Sequence, residues 1–392
     1  MAGALKVAVV GIGQRGLQHL KSIVSLQVDE EVQLVALADP FEENLAETKI
    51  QGYVPDYKRG STQLFTDVDE MVDTAKPDAV WFVMPPNQHR GEIERTVAKG
   101  VHIFAEKPQS LFYDEIKSQA DAIDKAGVAS VVGFQKRYDP WYTAIHDYMA
   151  DKQLASAMAV SLGSVEGHSA KHSPTERQGG PKNRVWTANR AWSGTSMVEA
   201  GIHQTDQIRY WVSDDVEWVQ AAYVDRPEDL QETQGDNPTA YTVVYGFKRG
   251  GIANIIFTKP ARSYYNEKIE YIHTPEAHIA FEDDLAVYSY GGSDYPPASR
   301  PTREQLRTVL AEGPETNPMG PNSTMEISRQ FARSISESDP SLRRNSFRSS
   351  MNSLAAVLAA NVSDSLGGIR IDIDEFENSD KFAEYRQRPE GL

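Results

Sequence analysis

The segment Gly11-Ile12-Gly13-Gln14-Arg15-Gly16 leaves the start of this chain few ways to fold. It follows the apolar run Lys6–Val10 directly and opens a helical pattern through Leu17, Leu20, Ile23 and Val24. Glycines at this spacing turn a strand sharply into a helix, bring backbone close to a pyrophosphate, and aim helix N–H groups at the anion. An ordinary glycine-rich turn would share the spacing. The strand before it, the helix after it and a following acidic residue favour a dinucleotide. That residue is Asp39, 23 residues beyond Gly16 at the end of the next apolar run, close to the offset of a ribose-binding carboxylate, and it favours NAD over NADP. Followed by Pro40, Asp39 is also a good helix cap, and the Arg15 guanidinium could pair with a 2′-phosphate, so capping and NADP stay open.

Further strand-like runs at Val32–Ala38, Ala79–Met84, Val101–Ala105 and Ala129–Phe134 alternate with helical patterns such as Gly91–Lys99 and Asp114–Ala126. This alternation predicts an α/β fold with a doubly wound parallel (Rossmann) sheet. Past Tyr138 the rhythm changes. Strand candidates at Ser156–Val165, Val216–Val224, Ala240–Phe247, Ile252–Phe257, Lys268–Ile272 and His278–Phe281 follow one another with few helices between them. They predict an α+β domain with a large, mostly antiparallel, open sheet. Glu166–Asn189 reads as a long polar loop and 293–320 as irregular, while Met325–Ser336 and Phe347–Leu366 read as helices. The expected division is a nucleotide-binding domain over 1–135, joined by a returning helix near 346–366, and a substrate-binding and oligomerisation domain over 136–345.

Two domains suit 392 residues of which 40% are hydrophobic. A net charge of −16 argues against nucleic acid as a partner. The absence of cysteine removes disulfides, thiolate metal sites and a cysteine nucleophile, and leaves redox chemistry to a bound cofactor. No stretch reads as a membrane span or a secretory leader, so a soluble cytoplasmic protein is expected, with no metal and no membrane partner.

Three groups carry candidate chemistry. Ala105-Glu106-Lys107-Pro108 closes a predicted strand at the carboxyl end of the sheet, where ligands collect, and Pro108 holds Lys107 on extended backbone. In Ser193–Trp211, helical spacing puts Glu199, His203 and Asp206 at i, i+4 and i+7 on one face, so the Glu199 carboxylate can orient His203 as a general base. The alternative there is a Ser196/Glu199 capping box with a half-buried structural histidine. Gly201 inside the helix tilts the balance toward function, because an interior glycine usually marks a close approach. Gly133–Tyr138 ends the last strand of the first domain, and its polar groups are expected to face the crevice.

Taken together and in order, Gly11–Gly16, Ala38-Asp39-Pro40, Met84–His89, Ala105–Pro108, Gly133–Tyr138, the Gly201-Ile202-His203 helix with Asp206, and Arg348-Ser349-Ser350 resemble the glucose-fructose oxidoreductase/inositol dehydrogenase (Gfo/Idh/MocA) family. The resemblance implies an NAD(P)-dependent dehydrogenase that oxidises a secondary hydroxyl of a sugar, inositol or related polyol, with NAD the expected cofactor. It implies that Lys107 polarises the reacting hydroxyl, that His203 takes its proton, and that the Lys107-Pro108 bond is cis. The family's usual aspartate four residues before the histidine is Glu199 here. Pro85, His89 and Glu106 join the glycine segment and Lys107 as implied cofactor contacts, and Arg137, Tyr138, Trp192 and Asp206 are the implied substrate contacts; Trp186 and Trp192 either shape the nicotinamide and sugar pocket or pack in the core or loop. A homodimer or homotetramer through the open sheet is expected. The competing activity is a glycoside hydrolase or lyase that retains NAD and oxidises its sugar transiently. A histidine base paired with Glu199 would titrate near 6.5 or above.

Overall fold

The structure, a computed structural model, describes residues 4–163, 186–259, 267–289, 301–312 and 323–389. Its first sheet is built from β1 (Leu5–Val10), β2 (Val32–Ala38), β3 (Gln63–Phe65), β4 (Ala79–Phe82), β5 (His102–Ala105) and β6 (Ser130–Val132). All neighbours pair in parallel, in the order β3-β2-β1-β4-β5-β6. The order reverses between β1 and β4, and a crevice opens beyond the carboxyl ends of the strands at that point.

These strands read as continuous apolar runs because both faces are covered. Val7, Val9, Leu34, Leu37, Trp81 and Phe104 point to one face, where α1 (Gln14–Val28) packs through Leu20 and Ile23. Ala8, Val10, Ala36, Val80, Phe82 and Ile103 point to the other, against α2 (Tyr113–Ala126). Lying beside α1 is a helix from far along the chain, Ser323–Ser336, whose Phe331 meets the Trp81 ring edge-on at 5.2 Å.

The second sheet comprises β7 (Ser156–Leu162), β8 (Val216–Val224), β9 (Ala240–Phe247), β10 (Ile252–Thr258), β11 (Glu267–His273), β12 (Ala277–Phe281), β13 (Leu285–Ser289), β14 (Arg307–Ala311) and β15 (Ile371–Asp372). The order is β14-β13-β12-β11-β7-β10-β9-β8-β15, antiparallel throughout except for the β7/β10 pair. The fold class expected from sequence is therefore the one observed. Strands β3, β13, β14 and β15 escaped sequence reading: all are two to five residues long, β3, β14 and β15 lie at sheet edges, and β14 falls in the stretch read as irregular. Most of the polar loop expected over Glu166–Asn189 lies outside the described residues.

Three helices carry the contact between the sheets: α3 (Pro140–Met149), α4 (Ile202–Val212) and α6 (Phe347–Ser365), with Ser323–Ser336 taking the label α5. The helix α6 is wedged between α2 and β6 on one side and β8 and α4 on the other, and Ala355, Ala356, Ala359 and Ala360 let these elements approach closely. One hydrophobic cluster consequently runs from the first sheet into the second. Among the described residues no helix is long and apolar enough to cross a membrane.

Arg137 and Asp206 are joined inside this wedge. Two guanidinium nitrogens of Arg137 donate to the two Asp206 oxygens at 2.8 Å each, and Ser353 of α6 donates to Asp206 at 2.8 Å. Both residues are buried. Asp206→Ala would leave an uncompensated buried guanidinium, so the variant is expected to lose about 3–5 kcal/mol of stability in denaturant titrations.

Candidate active site

The glycines of the first turn serve different neighbours. Gly11 sits at φ +85°, and a Cβ there would lie 2.1 Å from the carbonyl oxygen of Val83. On Gly16 a Cβ would lie 1.8 Å from the carbonyl oxygen of Gly11, so helix α1 can pack on the turn only without a side chain. Around Gly13, by contrast, a Cβ would meet nothing within 4 Å. The protein itself does not need that glycine. An open cradle at the N-terminus of α1 fits a pyrophosphate that must approach the backbone.

Two cavities of about 330 and 350 Å³ meet over this turn and share Gly13, Val83, Met84, Pro85 and Trp186. Together they form a two-lobed cleft with the proportions of a dinucleotide site. In the first lobe Asp39 serves two purposes at once. One oxygen accepts from the Ile12 N–H at 2.7 Å; the other accepts from the Phe41 N–H and the Asn44 amide at 2.9 Å each. The helical turn that follows, Glu42–Asn44, has Phe41 at its N-cap and no side-chain cap, so Asp39 braces the loop at this end of the cleft without capping a helix. Arg15 points elsewhere, donating to Glu106 (2.7 Å), Gln18 (2.7 Å), Thr324 (3.1 Å) and Gln135. It lines the second lobe, away from Asp39. His89 turns inward to pair with Glu92, while Gln88 and Glu92 line the cleft. Burial opposes ionisation of Glu92, but the hydrogen bond and charge of His89 together with backbone N–H donors outweigh it and hold that carboxyl at about 2. Arg388 braces the loop from the C-terminal segment, donating to the carbonyls of Asn87 at 3.1 Å and His89 at 3.3 Å.

Glu106 anchors the second lobe. Its carboxylate accepts from Arg15, from His19 at 2.6 Å and from the Lys107 N–H at 3.0 Å. Burial alone would raise its pKa; Arg15 and His19 hold it well below the usual carboxylate range. Gly133 is there to make room, since a Cβ would lie 2.7 Å from a Glu106 oxygen. His19 carried no motif signal, and its position four residues after Arg15 on α1 is the one clue the chain offered. After the cis Lys107-Pro108 bond, Lys107 Nζ donates to the Glu199 carbonyl at 2.7 Å and to a Glu199 carboxylate oxygen at 3.1 Å.

That contact gives Glu199 a partner that helical spacing did not indicate. The segment Met197–Gly201 is a π-helical turn ahead of α4, and from it the Glu199 carboxylate reaches Lys107. Ser196 forms no side-chain cap. Gly201 does mark a close approach, but by the Met197 sulfur, 2.4 Å from where a Cβ would stand. His203 is driven well below its ordinary pKa, first by burial and then by the charges of Lys107 and Lys136, which Glu199 only partly offsets. These effects run against the expected inflection at or above 6.5 and favour the neutral imidazole, the form able to accept a proton.

The implied substrate contacts divide. Arg137 and Asp206 are spent on each other, and the buried Tyr138 accepts from the Arg344 N–H at 3.0 Å, so none of the three presents its polar group to the cleft. The physical reason is α6, which covers that face of α4 and which sequence spacing within 133–211 could not reveal. Trp192 does line the cleft, but in the lobe of Asp39, whereas Trp186 borders both lobes.

A Rossmann sheet, a glycine cradle, a two-lobed cleft and a lysine beside a neutral histidine define a nucleotide-dependent oxidoreductase of two-sheet architecture. Residues 5–134 match the profile of an oxidoreductase family with an NAD-binding Rossmann fold, Gfo/Idh/MocA, and this first domain belongs to that family. The chain is 25% identical to the myo-inositol 2-dehydrogenase of Thermotoga maritima over 68% of this chain and 72% of that protein. It is also 25% identical to the NAD(+)-dependent scyllo-inositol 2-dehydrogenase of Bacillus subtilis over 70% and 73%. The crystal structure of scyllo-inositol dehydrogenase from Lactobacillus casei, with NAD(H) and scyllo-inositol, shares the fold with a TM-score of 0.70 at 18% identity, covering 95% of this chain and 99% of that one.

Proposed function

We propose that this enzyme oxidises a secondary hydroxyl of a sugar, inositol or related polyol, with NAD preferred over NADP. The observation that carries the reading is Lys107, held by Glu199 at the second lobe of the cleft, with neutral His203 in the field of the same ammonium. Gly11–Gly16 and Pro85 would hold the cofactor's pyrophosphate and Asp39 its ribose; bound NAD+ supplies the hydride acceptor. His203 takes the hydroxyl proton, and Lys107 stabilises the negative charge developing on that oxygen. Glu199 positions Lys107. Relatives named for inositol oxidation support the polyol class.

A panel of inositols, aldoses and sugar acids, assayed for NADH and NADPH formation, tests the reading; no reduction of either nucleotide by any polyol would overturn it. Asp39→Ala is expected to narrow the NAD/NADP selectivity ratio, measured as the ratio of dissociation constants, because only NAD presents a free 2′-hydroxyl to the carboxylate. An unchanged ratio would leave Asp39 with only its role of bracing Ile12, Phe41 and Asn44.

Self-association belongs to the same proposal, together with the division at residue 135. The open face of the second sheet presents Met158, Val160, Val244, Ile256, Ile269 and Tyr271, none fully buried. A face this apolar is stable in water when a second copy covers it. A dimer or tetramer by light scattering at micromolar concentration is the expected result, and a monomer would contradict it.

A further inference from the structure

From the edge strand β15 of the second sheet the chain runs back across the first domain. A short helix, Ile373–Asn378, buries Phe376 against α2, where the Tyr113 ring meets it edge-on at 5.9 Å. Arg386 secures the return, donating to the carbonyls of Phe376 and Ser379 at 2.7 Å each and to Asp114 at 3.2 Å. Two residues later Arg388 arrives beside the loop Pro85–His89, which walls the cleft.

Arg388 joins three segments. Its Nε and Nη2 donate to the two Glu115 oxygens at 2.5 and 3.0 Å, the paired geometry that a planar guanidinium favours. Nη1 donates to the Asn87 carbonyl at 3.1 Å, Nη2 also donates to the His89 carbonyl at 3.3 Å, and the guanidinium lies 4.7 Å from the centre of the Phe112 ring. Glu115 in turn accepts from the Ser110 hydroxyl at 2.6 Å, and the buried Ser110 stands three residues after Lys107. One guanidinium thereby ties the cleft loop to the turn that carries Lys107.

The two tied segments are opposed walls of the site. Pro85 and Gln88 line the first lobe, and Pro85, Pro86 and Lys107 line the second. The loop also has bonds of its own: the Arg90 guanidinium donates to the Asn87 and His89 carbonyls at 2.7 Å each, and the Arg90 N–H donates to Glu92 at 2.7 Å. Those bonds close the loop on itself, so they hold its shape but not its distance from Lys107. Arg388 supplies bonds that lead out of the loop to α2. It does so against a like charge: burial first and Arg388 next lower the Arg90 pKa, with Glu115 and Glu92 offsetting part of the effect.

We propose that Arg388 is a positioning residue for the cofactor, which sets the affinity for NAD by fixing the Pro85–His89 loop against the Lys107 turn through Glu115 and Ser110. The inference rests on the reading of the cleft as an NAD site and adds to it a residue outside both lobes.

Calorimetric NAD titration and denaturant unfolding of the NAD-free protein are measured for Arg388→Met, Arg388→Lys, Glu115→Gln and the double variant Arg388→Met/Glu115→Gln, with KM for NAD and kcat alongside. Arg388→Met keeps an apolar stem beside Phe112 and removes the four hydrogen bonds. It is expected to weaken NAD binding about 3–30-fold, the range of substitutions that act on a site through its supporting contacts, and to raise KM for NAD more than it lowers kcat. Unfolding should change little, because the Arg388 and Glu115 side chains are 17% and 27% exposed and such pairs add little stability. Arg388→Lys, with the charge but not the fork, should fall between. Glu115→Gln should weaken binding in the same sense, and the two losses should not multiply in the double variant. Unchanged NAD affinity in Arg388→Met, losses that multiply, or a fall in stability large enough to account for the weaker binding would overturn the inference. The titration uses no polyol, so failure of polyol oxidation leaves it standing; a wild-type protein that binds no NAD would sink the cofactor reading and this inference together.

Discussion

His203→Ala is expected to lower kcat for polyol oxidation by about 10²–10⁴-fold, the usual cost of removing a general base, while the dissociation constant for NAD stays near its wild-type value. Lys107→Met should cost at least about 10²-fold, because a preorganised charge facing the developing alkoxide acts mainly in the transition state. The pH profile separates these roles from a merely structural one. Protonated imidazole cannot act as base, so oxidation falls as pH drops through the His203 pKa. Burial, Lys107 and Lys136 place that pKa well under its ordinary value, so the wild-type enzyme should hold its rate across neutral pH and decline only below 6.5. The decline should vanish in His203→Ala. Near-normal turnover by both variants, or a His203-dependent inflection above 6.5, would refute the assignment. Glu199→Gln is expected to be milder, since an amide oxygen and the unchanged main-chain carbonyl still receive the Lys107 ammonium.

The second large effect separates glycines that look alike in the sequence. Gly13→Ala should weaken NAD binding by about 10–100-fold, equivalent to about 1.4–2.7 kcal/mol, with little change in stability. The reason is spatial: the added methyl meets no protein atom, and Gly13 has φ −78°, which alanine adopts freely at a helix start. Gly11→Ala should do the reverse, destabilising the fold by about 3 kcal/mol or more, because a residue at φ +85° would also drive its methyl against main chain that cannot swing aside. Calorimetric titration with NAD and denaturant unfolding of both variants check this. Equal stability losses would show that Gly13 serves packing rather than a ligand.

Much of the fold was legible because it is written in short-range patterns. An apolar run buried on both faces, a glycine turn and a 3.6-residue periodicity each depend on neighbours in the chain, so β1, β2, β4 and β5 were recognisable, as were α1, α2 and α6. Short edge strands such as β3 and β14 gave no such signal, since they bury little and owe their existence to a partner strand. The site was legible unevenly. Lys107 is set by a strand end and a proline, both local. Glu199 was placed beside His203 by α-helical spacing, whereas the π-turn of five residues that carries it and its contact with Lys107 were invisible to periodicity.

Local sequence therefore determined where the chain turns, which strands are buried, and that a glycine cradle with an acidic residue beyond it faces a nucleotide. The tertiary structure decided which charged groups meet. Arg137 reaches Asp206 across 69 positions, Lys107 reaches Glu199 across 92, and Arg15 reaches Glu106 across 91. A lone polar residue reads the same whether it ends in water, in an internal pair or in a crevice. Its partner is chosen by the docking of distant elements, here α6 against α4 and the second sheet against the first, and that choice separates the residues spent on stability from those left for chemistry.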